Sequence, residues 1–267
     1  MLGAIAGDII GSVFEFHPLT AGWNDFPLFS KRSRFTDDTV MTIAVSKALI
    51  NPGDDLKTAF IDSFHEFGSV WPKAGYGQKF KQWLMFRKRE PYNSFGNGSA
   101  MRVSPVAWLA QSLEEAENLA CASAEVTHNH PEGIKGAQAV AGAIYLARTG
   151  KSKEEIRAYL TGRHGYPLSR SLEEIRQNYR FDSTCQGSVP EALQAFLESS
   201  SFEDAVRKAI WLRGDADTQA AIAGSVAEAF YGGVPEEIAE ECLIRLDEPL
   251  RRHFQTWQEA LQKSGGA

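Results

Sequence analysis

A serine followed three residues later by an acid recurs along this chain: Ser112/Glu115, Ser152/Glu155, Ser171/Glu174, Ser188/Glu191 and, with aspartate, Ser201/Asp204. The pattern is that of a capping box, in which serine hydroxyl and acid satisfy backbone N–H groups that a first helical turn leaves unpaired. Apolar residues at helical spacing follow most of these positions, as in Ala192, Phe196 and Leu197, or Ala205, Ala209 and Leu212. No alternating apolar and polar run is long enough to build a sheet, and no βαβ unit is visible. The expected fold is all-α: a single compact multi-helix domain over residues 1–262, with ten or more helices and a frayed tail at 263–267. "LINPGDD", "GNGS" and "RHGYPLS" read as loops of ordinary length, and no repeat argues for a solenoid.

With 267 residues, 43% of them hydrophobic and 23% charged, the chain can bury a sizeable core. Its formal charge of −6 gives no general attraction to nucleic acid or to an anionic membrane. The basic runs Lys79–Lys81 and Arg87–Lys88–Arg89 read as solvated helix face. Cys121, Cys185 and Cys242 are odd in number and widely spaced, which fits neither a disulfide framework nor a thiolate zinc site. The opening "MLGAIAGDIIGSVFEF" has no basic start, and Asp8 and Glu15 interrupt it, so it does not read as a signal peptide. No apolar run reaches the roughly 18 residues of a membrane span. The expectation is a soluble, cytoplasmic monomer.

Against this background two acidic clusters stand out. Thr36-Asp37-Asp38-Thr39 opens an apolar helix, and Asp215, Asp217 and Thr218 open another, in "RGDADTQAAIAGSVAEAFYGG". Helix capping and the helix dipole account for one such cluster taken alone. The second helix then shows Ala220, Ala221, Ala223, Gly224 and Ala227, a small-residue surface that admits a close neighbour, for which the helix starting at Thr36 is a candidate. Gly232-Gly233 stops it. Gly3, Gly7 and Gly11 form a further ridge at four-residue intervals. Asp8 and Glu15, seven apart or two turns, share one helix face, with Glu15 near the helix end; Asp8 reads as a surface acid or a structural acceptor. If the three segments meet, Glu15, Asp37, Asp38, Asp215 and Asp217 gather with the hydroxyls of Thr36 and Thr218. Five clustered carboxylates require counter-charge. An all-oxygen donor set selects magnesium, manganese or calcium over zinc or copper, and two divalent cations come close to neutralising it.

The motifs in their order resemble the ADP-ribosylglycohydrolase family: "GAIAGDIIGSVFEF", "FTDDTVMTIAVSKAL", "AGYGQKFKQW", "SFGNGSAMRVSPVAW", "THNHPEGIKGAQAVAGAI", "CQGSVPEALQAF" and "RGDADTQAAIAGSVAEAFYG". The resemblance spans Gly3 to about Gly233. It implies an all-α protein with a binuclear cleft holding two Mg²⁺ (Mn²⁺ as the alternative), ligated at Thr36, Asp37, Asp38, Asp215, Asp217 and Thr218. It places Glu15 beside the metals. The loop Gly96, Asn97, Gly98, Ser99, Met101 and Arg102 is implied to hold the diphosphate and ribose of ADP-ribose, and His128 to contact the substrate. His130 reads as shaping the loop before Pro131, and Tyr76 and Phe80 as core rather than as a stacking surface for adenine. The reaction implied is hydrolysis at C1″ of the distal ribose, releasing ADP-ribose from an ADP-ribosylated protein or small-molecule acceptor. Glu15, Asp37 or Asp38 would serve as base or charge stabiliser. Between Val70 and Asn93 the sole carboxylate is Glu90, so the extra acid of some arginine-linked hydrolases has no counterpart, and the acceptor stays open. The competing readings are a nucleotide phosphoester or diphosphate hydrolase, and a non-catalytic ADP-ribose-binding protein.

Overall fold

The computed structural model describes residues 1–20 and 22–263. Helices α1 (Leu2–Gly11), α2 (Asp37–Ile50), α3 (Leu56–Val70) and α4 (Gln78–Met85) come first. A short α5 (Gly98–Met101), α6 (Ser104–Leu109), α7 (Leu113–Glu125) and α8 (Pro131–Arg148) follow. Next come α9 (Lys153–His164), α10 (Leu172–Asn178), α11 (Cys185–Leu197) and α12 (Phe202–Trp211). The chain closes with α13 (Ala216–Tyr231), α14 (Glu236–Arg245) and α15 (Glu248–Lys263). Among the described residues there is no strand, and one isolated antiparallel bridge joins Gly96 to Thr184. The all-α expectation holds, with one continuous hydrophobic core. No described helix is long and apolar enough to cross a membrane, and Cys121, Cys185 and Cys242 are free thiols.

The serine signatures start the helices they were expected to start, with one exception. Ser112, Ser152, Ser171 and Ser201 each accept the backbone N–H three residues on. Ser152 and Ser171 form the full reciprocal box. Ser188 is a correction: it lies inside α11, whose cap is Thr184, accepting from Gly187 N. Pro190 invites the misreading because proline suits a first turn, yet here the helix begins one turn earlier and carries Pro190 within it. The tail expected to fray at 263–267 falls mostly outside what the structure describes. Lys263 is the last residue of α15, and 264–267 lie outside the described residues.

Helix α13 runs through the core, buried without a break from Ala216 to Ala227. Its small-residue face takes α1, not α2 as the sequence suggested. A Cβ on Gly7 would lie 2.0 Å from the carbonyl oxygen of Ala220, and one on Gly3 2.3 Å from that of Gly224. On Gly11 it would lie 2.5 Å from Asp217 Cα. Only a glycine ridge allows two backbones this close, whereas α2 presents the β-branched Thr39, Val40, Thr42, Ile43 and Val45. A second correction concerns reach. Because α1 ends at Gly11, Glu15 sits in the bend beyond it and does not share a helix face with Asp8.

Glu191 on α11 is buried with Oε2 unpartnered and Oε1 3.4 Å from Arg170 Nη2. Burial, against a weaker pull from Arg170, pushes its carboxyl up to about 7. A raised folded-state pKa adds stability that is complete below the unfolded value and is lost as pH rises through the folded one. Glu191→Gln is therefore expected to leave stability unchanged near pH 4 and to raise it by about 1–3 kcal/mol at pH 8. Urea unfolding at the two pH values checks this; equal or lower stability of the variant at pH 8 contradicts it.

Candidate metal centre

Asp8, fully buried on α1, ties that helix to the start of α2. Its Oδ2 accepts from Thr36 N at 2.9 Å, Thr39 N at 3.0 Å and Thr39 Oγ1 at 2.5 Å, while Oδ1 accepts from Thr36 Oγ1 at 2.7 Å. Of the two readings left open for it, the structural acceptor is the one observed. Asp8 thus shares the capping of α2 with its N-cap Thr36, whose Oγ1 accepts from Asp38 N at 3.3 Å. The side chains of Asp37 and Asp38 are left to face elsewhere.

They face α13. Thr218 Oγ1 donates to Asp38 Oδ2 at 3.3 Å, and Thr218 N donates to Asp217 Oδ1 at 2.9 Å. Asp215 accepts from Asn97 Nδ2 at 2.8 Å, which draws the glycine-rich loop onto the same helix start. Carboxylate oxygens of Asp8, Asp38 and Asp217 lie within 4.8 Å of one another, as do those of Glu15, Asp215 and Asp217. Asp217 belongs to both groups, so the two sets are adjacent. Asp37 borders the cleft: its Oδ1 lies 2.7 Å from where a Cβ would stand on Gly75, a residue at φ +127° where L side chains are strained.

No ion pair among the described residues involves these acids. Arg213, adjacent in sequence, gives its Nε to Leu19 O instead. Burial first, and repulsion from Asp217 and Asp8 second, raises Asp37 and Asp38 well above the usual carboxylate range. Burial and Asp215 do the same to Asp217. Asp215 is raised to about 6 by burial, and Glu15 to about 8 by burial and Asp217, with Arg34 opposing. Asp38 Oδ1 is buried with no hydrogen-bond partner. Such an atom is costly in a folded interior unless a cation meets it. The donor set, carboxylates and hydroxyls with no sulfur, fits hard divalent cations.

Beside these acids a cleft of about 410 Å³ opens. Every sequence-predicted position lines it except Thr36 and Ser99. Thr36 is buried, with its hydroxyl proton committed to Asp8. Ser99 is fully buried and donates to Gly133 O at 2.7 Å, so it pins α5 to the start of α8 rather than facing a ligand. Arg102 reaches the wall, yet its Nη2 turns inward to Ser123 O and Thr127 Oγ1. His130 caps α8, accepting from Glu132 N at 3.1 Å, in line with a loop-shaping role. Tyr76 is core, while Phe80, also buried, has an edge on the cleft.

Sequence reasoning passed over Gln78, Lys79, Tyr92, Ser94, Phe181 and Ser183, which also line the cleft. Tyr92 and Ser94 stand just before the glycine loop and were within reach of a motif reading. Phe181 and Ser183 carry no local signal; the Gly96–Thr184 bridge brings their loop in from far along the chain.

Comparison with known proteins agrees with this architecture. The family model described as ADP-ribosylglycohydrolase matches residues 1–263. The chain is similar to an ADP-ribosylhydrolase ARH3 of Mus musculus, at 28% identity over 91% of this chain and 86% of the relative. Similarity to an ADP-ribosylarginine hydrolase Tri1 of Pseudomonas putida is 28% over 90% and 72%. Similarity to an ADP-ribosyl-[dinitrogen reductase] glycohydrolase of Rhodospirillum rubrum is 24% over 99% and 95%. A solved structure titled ADP-ribosylglycohydrolase-related protein complex has the same fold, with TM-score 0.68 and 24% identity over 98% of this chain and 96% of that one. The chain belongs to the ADP-ribosylglycohydrolase family of hydrolases.

Proposed function

We propose that this protein is a metal-dependent hydrolase of the glycosidic bond at C1″ of the distal ribose in ADP-ribosylated acceptors, releasing free ADP-ribose. The observation that carries the metal dependence is the pair of adjacent carboxylate groups sharing Asp217, in no ion pair with a cationic side chain among the described residues and including the unpartnered Asp38 Oδ1. Asp37, Asp38, Asp215 and Asp217, with the hydroxyl oxygens of Thr36 and Thr218, would hold two Mg²⁺ or Mn²⁺. Asp8, its oxygens already taken by four donors, orients Thr36 and Thr39 behind them. When bound, the cations supply Lewis acidity and charge neutralisation at the sugar.

The chain's own residues do the rest. Asn97 fixes Asp215 and so couples the nucleotide loop to the acidic centre. Gly96 and Gly98 keep the cleft wall open for close backbone approach to an anion. Glu15 and Asp37 are the two part-buried carboxyls on the cleft; Asp37 is placed among the metal ligands, and we assign the proton transfer to Glu15. Relatives named for ADP-ribosylarginine and for dinitrogen reductase support a protein side chain as acceptor.

The test is chromatographic detection of products from arginine-, serine- and acetyl-linked ADP-ribose, with Mg²⁺ and with EDTA. Free ADP-ribose from at least one substrate, abolished by EDTA, is expected. AMP or phosphate as the product would instead favour the phosphoester hydrolase. Tight ADP-ribose binding without release from any substrate would favour a binding protein.

A further inference from the structure

Arg102 is a buried cation without an anion. It is 1% exposed, its guanidinium lies over the Phe64 ring at 4.3 Å, and no described carboxylate pairs with it. Nη2 donates to Ser123 O at 2.7 Å and to Thr127 Oγ1 at 3.0 Å. Thr127, fully buried, places that same oxygen 2.8 Å from His128 Nδ1.

The hydrogen bookkeeping of this relay has one solution. Guanidinium N–H groups only donate, so Thr127 Oγ1 accepts from Arg102 and its own proton must go elsewhere. Among the described residues the one acceptor within its reach is His128 Nδ1. Were Nδ1 protonated, the hydroxyl proton of Thr127 would be buried without a partner, which interiors avoid. Nδ1 therefore accepts, and a neutral ring carries its proton on Nε2. Burial and the Arg102 charge hold His128 well below the usual histidine range, consistent with a neutral ring.

Nε2 has no hydrogen-bond partner among the described residues. It lies 3.2 Å from where a Cβ would stand on Gly98 and 3.7 Å from one on Gly96, at the glycine turn that walls the cleft. Tyr92, whose ring centroid is 5.9 Å from that of His128, donates its backbone N–H to Thr127 O at 3.3 Å. Thr127 thus anchors both the imidazole and the wall facing it.

We propose that Thr127, held by Arg102, is a positioning residue that fixes His128 as the Nε2–H tautomer, presenting one neutral N–H donor past Gly96 and Gly98 to a phosphate oxygen of the substrate. The phosphate half of this assignment rests on the ADP-ribose reading above; the tautomer does not. A cation placed behind a neutral donor adds positive potential without adding a proton that titrates in the cleft.

Long-range ¹H–¹⁵N spectra of the histidine rings read the tautomer directly, with the His128 signals assigned by their loss in His128→Gln. The wild type is expected to show protonated Nε2. Thr127→Val is expected to populate the Nδ1–H form and weaken ADP-ribose binding about tenfold, while Thr127→Ser keeps both properties near wild type. Circular dichroism shows whether the valine variant is folded, and the wild-type spectrum alone decides the tautomer if it is not. A wild-type ring protonated on Nδ1, or a folded Thr127→Val with an unchanged tautomer, overturns the relay. The expected tautomers with unchanged affinity in Thr127→Val overturn the donor role. The expected tautomers with no ADP-ribose binding by the wild type overturn the phosphate assignment and the functional reading, and leave the relay standing.

Discussion

Asp38→Asn and Asp217→Asn should each lower turnover by on the order of 10³-fold while the helical circular dichroism stays that of the wild type. Asp217 is the member common to the two carboxylate groups, and Asp38, in one of them, carries an orphaned oxygen. Asparagine keeps the shape and one acceptor oxygen, so the hydrogen bonds from Thr218 can persist. What it removes is a negative charge from an uncompensated cluster. In the cation-free protein that removal relieves repulsion, and a thermal scan in EDTA should show variants at least as stable as the wild type. Mg²⁺ should then stabilise the wild type and fail to stabilise either variant. Loss of helical signal in EDTA, or full activity in both variants, would mean that the acids are a structural cluster.

The largest effect on stability is expected at Gly7, on the contact between α1 and α13. Even a methyl group there would stand 2.0 Å from Ala220 O, an atom of buried helix backbone that cannot swing aside. Gly7→Val should cost about 3–5 kcal/mol, a large share of the stability of a domain. Gly7→Ala is the more informative change, because helix propensity alone favours alanine by about 1 kcal/mol. Gly162 on α9 is the matched control: a Cβ there meets nothing within 4 Å. Gly162→Ala should therefore raise the urea midpoint and Gly7→Ala should lower it. A gain at both sites would show that the two helices do not approach so closely.

How far the sequence was legible follows from where each feature's cause resides. Helix starts are local: Ser152 and Ser171 hydrogen-bond within their own first turn, and their spacing announces it. Ser188 misled because Pro190 imitates a first turn inside a longer helix. The two acidic clusters were visible because each is compact in sequence, and the glycine ridge was visible because it repeats. Which ridge meets which was not written locally. That α13 takes α1 depends on the bulk of Thr39, Val40 and Ile43 on α2, a comparison between helices rather than a motif. Asp8 was left between two readings because its four donors come from residues 28 and 31 positions away. Phe181 and Ser183 were missed for the same reason, since a bridge formed across the fold delivers them. Motif proximity misplaced Ser99, whose side chain turns to Gly133 although its neighbours face the cleft.

Everything proposed for the chemistry depends on cations meeting in the carboxylate cluster. Crystals soaked in Mn²⁺ and measured at the manganese edge test that directly, because anomalous difference density locates the metal without reference to activity. Two peaks are expected, one beside Asp38 and Asp217 and the other beside Asp215 and Asp217. Crystals that take up Mn²⁺ elsewhere, or nowhere, while these carboxylates remain packed against one another would contradict the account.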